Sequence, residues 1–181
     1  MVTSNWRRQD DGLTVAGIRP AADADTWIHH IIQGKAIRET EPRVKAKYVE
    51  DRIDEVRGDP ERSWEGEISG RLLSACDDIE GFAAAKAASI GGPPSFKLRA
   101  VAAVQVAKLR AHGFDVHLDP VPDDHAHAVL TIPRMERIIA KDGGDPAISQ
   151  ELVRRLADLL TAHVGDDGVR RLQASRGTGM A

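Results

Sequence analysis

Three of the chain's seven histidines and four of its aspartates fall within seventeen residues, Phe114 to Leu130, FDVHLDPVPDDHAHAVL. His117, His125 and His127, with Asp119 and Asp124, are of the types that ligate zinc, manganese or iron. An imidazole that titrates near pH 6.5 also suits proton transfer. If Val116 to Leu118 and Ala126 to Ile132 are antiparallel neighbours, the turn between them brings His117 and Asp119 toward Asp123, Asp124 and His125. His125 and His127 then share a face, because strand side chains alternate with period two. Such a set would serve a metal-dependent hydrolase, with Asp119 or Asp124 as ligand or base. A His-x-His pair also opens some amidohydrolase sites, but that barrel takes about 250 residues and this chain has 181. The plainer reading is a rigid surface turn rich in proline and aspartate, with His125 in solvent and His127 hydrogen-bonded within the sheet. We favour the turn and assign no catalytic residue; whether the chain is an enzyme stays open at this point.

The other chemistry-bearing residues are weaker. His29 and His30 are adjacent, and on a helix their side chains diverge by about 100 degrees, too far to chelate together. His112 and His163 suit helix C-termini, where the macrodipole favours a cation. Glu65 and Glu67 would lie on opposite sides of a helix, and Ser69, Ser74 and Ser89 have no nucleophile-elbow context. GKAIRE lacks the glycine spacing of a phosphate-binding loop. The single cysteine, Cys76, sits in an apolar repeat and reads as a buried, inert thiol.

Between residues 34 and 48, GKAIRETEPRVKAKY sets Lys35, Arg38, Arg43, Lys45 and Lys47 against Glu39 and Glu41, a local excess of three positive charges (5 − 2). Such a patch would touch a phosphate backbone without reading its sequence. The competing reading, which we favour, is a solvated helix face paired with Glu50, Asp51, Asp54 and Glu55. Arg7, Arg8, Arg154, Arg155, Arg170 and Arg171 would extend the patch only if the fold gathers them.

A net charge of −3 and an isoelectric point near 6.2 give no overall attraction to nucleic acid. Aromatic residues make up 4% of the chain and are scattered, which argues against a stacking platform for single strands. No run reaches the roughly eighteen apolar residues of a membrane span, and the N-terminus lacks the apolar stretch of a secretory signal. We therefore expect a cytoplasmic protein that makes no membrane contact. No motif names a cofactor.

Hydrophobic spacing suggests how these residues are held. Leu13 to Ile18 suits a short strand. Trp27, Ile28, Ile31 and Ile32 share one side of a helical wheel that stops at Gly34, and a second helix runs from Pro42 to Gly58. Trp64, Ile68, Leu72, Cys76 and Ile79 recur at four, four, four and three residues, predicting a third helix that contains Gly66 and Gly70. GGPPS at residues 91–95 is the clearest boundary. Beyond it we expect a strand from Leu98, a helix closed by Gly113, the two strands named above, and a long helix lined by Ile148, Leu152, Leu156, Leu159, Leu160 and Val164. A short last helix follows from Val169 to Ala174. No twenty- to fifty-residue repeat is present.

The stretch AVAAV, then LRAHGFDVHLDPVPDDHAHAVL, resembles a pattern in uncharacterised bacterial proteins: a strand, a short Leu- and Arg-containing helix, a Gly-aliphatic turn, and Asp-Pro-x-Pro-Asp-x-x-x-His-Ala before an apolar strand. It spans residues 98–132. The resemblance implies a bacterial origin and carries no activity.

The expectation is therefore an α+β protein, with a helical N-terminal half (1–90) packed on a small sheet in 91–181 and a long amphipathic C-terminal helix covering it, in one compact domain overall. The expected function is a non-catalytic interaction or accessory subunit of a bacterial protein assembly. Its expected partner is another protein. The alternatives are a metal-dependent hydrolase built on His117, Asp124, His125 and His127, and a nucleic-acid-binding accessory protein working through residues 35–47.

Overall fold

A computed structural model describes residues 17–31, 36–38, 41–56, 62–81, 99–133, 137–138, 147–148 and 150–176. Its centre is an eight-stranded sheet in which every pairing is antiparallel. The strands are β1 (Arg19–Pro20), β2 (Thr26–Ile31), β3 (Asp54–Glu55), β4 (Gly66–Leu72), β5 (Ala100–Gln105), β6 (Asp115–Leu118), β7 (His127–Ile132) and β10 (Thr161–Val164). They lie in the order β1-β6-β7-β4-β2-β5-β10, with β3 beside β4. A separate pair joins β8 (Arg137–Ile138) to β9 (Ala147–Ile148). The helices are α1 (Ala46–Glu50), α2 (Val106–Arg110), α3 (Gln150–Leu159) and α4 (Gly165–Ser175), with one 3₁₀ turn at Leu73–Ala75. Among the described residues no helix is long and apolar enough to cross a membrane.

Period-two alternation divides the side chains between the two faces of the sheet. One face carries Trp27, Ile31, Ile68, Leu72, Ala100, Ala102, Val104, Val116, Leu118, Ala128, Leu130 and Ile132. It is closed by Val49 of α1, Val106 and Leu109 of α2, and Leu152, Val153 and Leu156 of α3. The opposite face is covered by an apolar layer at one end. There Ile28, Val101 and Ala103 meet Val169 and Leu172 of α4, together with Leu73, Cys76 and Ile79. Its other end, formed by β4, β7 and β6, presents Glu67, Arg71, His127, Asp115 and His117.

The expected helical N-terminal half and long C-terminal helix are overturned. Residues 26–31 and 66–72 are strands at the middle of the sheet, and the second expected helix shrinks to the five residues of α1. The reason is a degeneracy of spacing: a four-residue interval keeps side chains on one helix face and, being even, also on one strand face. Ile68 and Leu72 satisfy both. The decisive pattern in 65–72 is the alternation of Glu65, Glu67, Ser69 and Arg71 with Gly66, Ile68, Gly70 and Leu72, which is a strand signature. In β2 it is obscured because both faces are buried, so Trp27 and Ile28 stand side by side in opposite cores. At the C-terminus Gln150 to Val164 is helix only to Leu159; Leu160 leaves it, and Thr161–Val164 pairs with β5.

The segments after the internal boundary follow expectation more closely. β5, α2, β6 and β7 occur in the predicted order, and β6 and β7 are antiparallel neighbours with Val116 opposite Leu130 and His117 opposite Val129. Gly113 closes α2 with φ +84°, a left-handed conformation that only glycine adopts freely. The last helix is present and extends to Gly165–Ser175. Residues 13–16, 34, 57–60, 82–98 and 145–146, where other signals fell, lie outside the described residues.

β2 and β4 are registered at only two positions, Trp27 with Leu72 and Ile28 with Arg71. The Trp27 indole lies over Gly70, and its Nε1 donates to the Ala128 carbonyl of β7 at 3.4 Å. A β-carbon at Gly70 would stand 2.5 Å from the Ile28 carbonyl oxygen and would also enter the indole, so backbone would have to move. Gly70→Ala is expected to lower the unfolding free energy by about 2–3 kcal/mol, read as a lower urea midpoint with an unchanged slope.

Candidate functional site

The polar half of the second face is where the histidine-rich segment meets the rest of the fold. β6 supplies His117, the residues after it supply Asp119 and the turn, and β7 begins at His127. Val121 and Asp124 form an isolated bridge inside the turn, so Asp123 and His125 project outward and are exposed. His125 precedes β7, so it does not share a strand face with His127 as expected.

The carboxylates meet arginines that the sequence reading did not single out. Arg62, ahead of β4, pairs with Glu67 of β4 and with Asp119, whose Oδ2 lies 3.4 Å from Nη2. The side chains of Arg62, Glu67 and Asp119 are 11%, 11% and 5% exposed. Trp64 Nε1 donates to the same Glu67 oxygen at 3.0 Å, and the Arg62 guanidinium stands 5.8 Å from the centre of the Trp64 ring. Arg71 of β4 pairs with Asp124, both nearly buried. Burial pushes the Glu67 carboxyl above the usual carboxylate range, against the opposing pull of Trp64 and Arg62. Burial likewise lowers Arg71, whose partner Asp124 works the other way.

The histidines are held separately. His127 Nδ1 donates to the Asp119 main-chain carbonyl at 2.7 Å, while its distance to the Asp119 carboxylate is 3.8 Å. His117 stacks on Trp64 with ring centres 4.8 Å apart. Its Nδ1 is buried without a hydrogen-bond partner among the described residues, and burial lowers its pKa below 6.5 despite Asp115 nearby. Of the five candidate ligands, Asp119 and Asp124 are each engaged by an arginine and His125 is in solvent. Among the described residues no three His, Cys, Asp or Glu side chains are placed to hold a metal ion.

The second histidine pair is on a strand rather than a helix, and its members point to opposite faces. His30 Nε2 donates to the Ile79 carbonyl at 3.1 Å. His29 fills the gap where β2 leaves β4: Nδ1 donates to the Ser69 carbonyl at 2.8 Å, so in the neutral ring Nε2 accepts the Tyr48 hydroxyl at 3.0 Å. Burial raises the Tyr48 phenol. The space beside it, lined by Trp27, Tyr48, Arg52 and Ile68 among others, is about 10 Å³, room for one water and no substrate. His112 Nδ1 donates to the Lys108 carbonyl just past α2, as its expected position at a helix end requires. His163 lies on β10, not at a helix end. Cys76 is buried and its thiol is pushed up by that burial.

The basic segment is largely engaged within the chain. Arg38 bonds Asp158 of α3 at 3.0 Å, Arg43 donates to the Asp158 main-chain carbonyl, and Lys47 pairs with Glu50 and Asp51 at 3.3 and 2.9 Å. Lys45 is partly buried, and Lys35 lies outside the described residues. Asp54 and Glu55, expected to pair with this segment, form β3 instead.

Comparison with known proteins gives no match: no protein-family model, no curated protein and no solved structure is significantly similar to the chain.

Arg62, Trp64, Glu67 and Arg71 are the residues that sequence reasoning missed. The alternation in β4 was the available signal for Glu67 and Arg71, since it sets both on the face that β6 and β7 share. Nothing local marked Arg62, whose carboxylate partner Asp119 is 57 positions away.

Removing Arg62 leaves two buried carboxylates facing each other. Arg62→Ala is expected to cost about 3 kcal/mol at neutral pH, and Glu67→Gln added to it is expected to recover part of that loss, both read by chemical denaturation. His117 supplies the pH test. Its folded pKa is depressed, so the unfolded chain binds more protons below about pH 6.5 and stability falls as pH drops through that window. Between about pH 7 and about pH 5, His117→Gln should lose less thermal stability than the parent chain.

Proposed function

We propose that the chain works by binding rather than by catalysis, as a non-catalytic interaction module or accessory subunit of a bacterial protein assembly. The observation supporting this is the pairing in the polar half-face. Arg62 pairs with both Glu67 and Asp119, Arg71 pairs with Asp124, and His127 is spent on a main-chain carbonyl. A general base needs a hydrogen-bonding path to substrate, and a catalytic metal needs converging ligands with an open position. Side chains committed to one another in this way close the sheet instead, which is the behaviour of a scaffold. The bacterial setting rests on the resemblance over residues 98–132. Another protein is the expected partner.

The test combines two measurements. Light scattering on the pure chain and affinity capture from its own cells should yield a defined partner in fixed stoichiometry. A lone monomer that captures nothing would overturn the reading. In parallel, zinc or manganese added to chelator-treated, untagged protein should leave its melting temperature unchanged. A rise of several degrees that disappears in Asp119→Asn would instead favour the metal-dependent hydrolase.

A further inference from the structure

α3 buries Leu152, Val153, Leu156, Ala157 and Leu159 and turns Glu151, Arg154, Arg155 and Asp158 outward. Between this outer face and His112, at the end of α2, lies a surface groove of about 540 Å³. That is within the roughly 300–1,000 Å³ of small-molecule sites. Its charges are unevenly used. The Asp158 carboxylate already pairs with Arg38, and Arg43 lies against the main-chain carbonyl of the same residue. Among the described residues neither Arg154 nor Arg155 has a carboxylate partner, and the Arg155 guanidinium is steadied 5.7 Å from the centre of the Phe114 ring. The groove's own lining sets Arg154 and Arg155 against Glu151 and Asp158 (2 − 2), but with the Asp158 carboxylate held by Arg38 the two guanidiniums face one remaining carboxylate, Glu151.

We propose that this groove binds a phosphate-bearing small molecule of about nucleotide size. The forks of Arg154 and Arg155 match phosphate oxygens in pairs. His112 lines the recess from the other side, its ring fixed by the hydrogen bond from Nδ1 to the Lys108 carbonyl at 2.9 Å. Glu151, three and four residues before the two arginines, opposes an anion and sets an upper limit on affinity. Two segments 39 residues apart at their nearest (151 − 112) build the site, so neither suggests it alone.

Isothermal titration of the full chain with inorganic pyrophosphate and with ADP tests this. Both should bind saturably and compete with each other. Arg154→Ala/Arg155→Ala should weaken binding at least about tenfold, the scale of one lost charge-assisted contact, with an unchanged melting temperature because both side chains are exposed. Arg154→Lys/Arg155→Lys should fall between, and Glu151→Gln should bind more tightly than the parent. The proposal is overturned if neither probe binds at millimolar concentration, if the double alanine variant binds like the parent, or if a short oligonucleotide binds and pyrophosphate does not displace it.

Discussion

The sheet is continuous because an indole rests on a glycine. Four strands on one side, β1, β6, β7 and β4, and three on the other, β2, β5 and β10, are joined through two registered residue pairs between β2 and β4. Trp27 spans that seam, lying over Gly70 and reaching the Ala128 carbonyl one strand further on. Beyond the two pairs, β3 takes the other end of β4, and the gap is filled by side chains: His29 satisfies the Ser69 carbonyl that a strand neighbour would have bonded and hands its second nitrogen to Tyr48. His29 is thereby structural, although its residue type and its hydroxyl partner are those of a proton relay.

Either side of the seam, the second face of the sheet is closed by different physics. Next to β5, α4 lays Val169 and Leu172 on Ile28, Val101 and Ala103, and burial of apolar area holds the layer in place. Next to β6 and β7, Arg62 and Arg71 bind the carboxylates that the strands and the turn present. A buried pair of this kind adds little net stability over an apolar replacement, but losing one member is costly. It therefore acts as a register constraint: Asp119 and Asp124 must sit where Arg62 and Arg71 can reach them, which fixes the DPVPDDHA turn against β4.

How much of this was legible depended on whether the spacing of a segment distinguishes two periods. In β6 and β7 it does, since Val116 and Leu118 alternate with Asp115 and His117, and the hairpin was read correctly along with its neighbours β5 and α2. In residues 64–79 apolar residues four apart satisfy helix and strand alike, and the alternating charges of β4 were the discriminating signal that the apolar count hid. In β2 both faces are buried, and adjacent apolar residues imitate a helical stripe. The histidine segment was legible as a turn but not as half of a network, because its counter-charges lie 53 and 57 positions upstream and carry no local mark.

The same long-range pairing explains why crowding of ionisable residues in sequence misdirects the search for a site. A dense run of aspartates and histidines cannot be buried unless each charge is matched, so the denser the run, the more of the fold's cations it consumes. Here it takes Arg62 and Arg71. Arg38 crosses 120 positions to reach Asp158, and that pairing engages one of the two acids that line the recess with Arg154 and Arg155, two guanidiniums that have no carboxylate partner among the described residues. Cations without a partner are therefore to be sought where carboxylates have been used up, here on α3, rather than in the segment whose composition first draws attention.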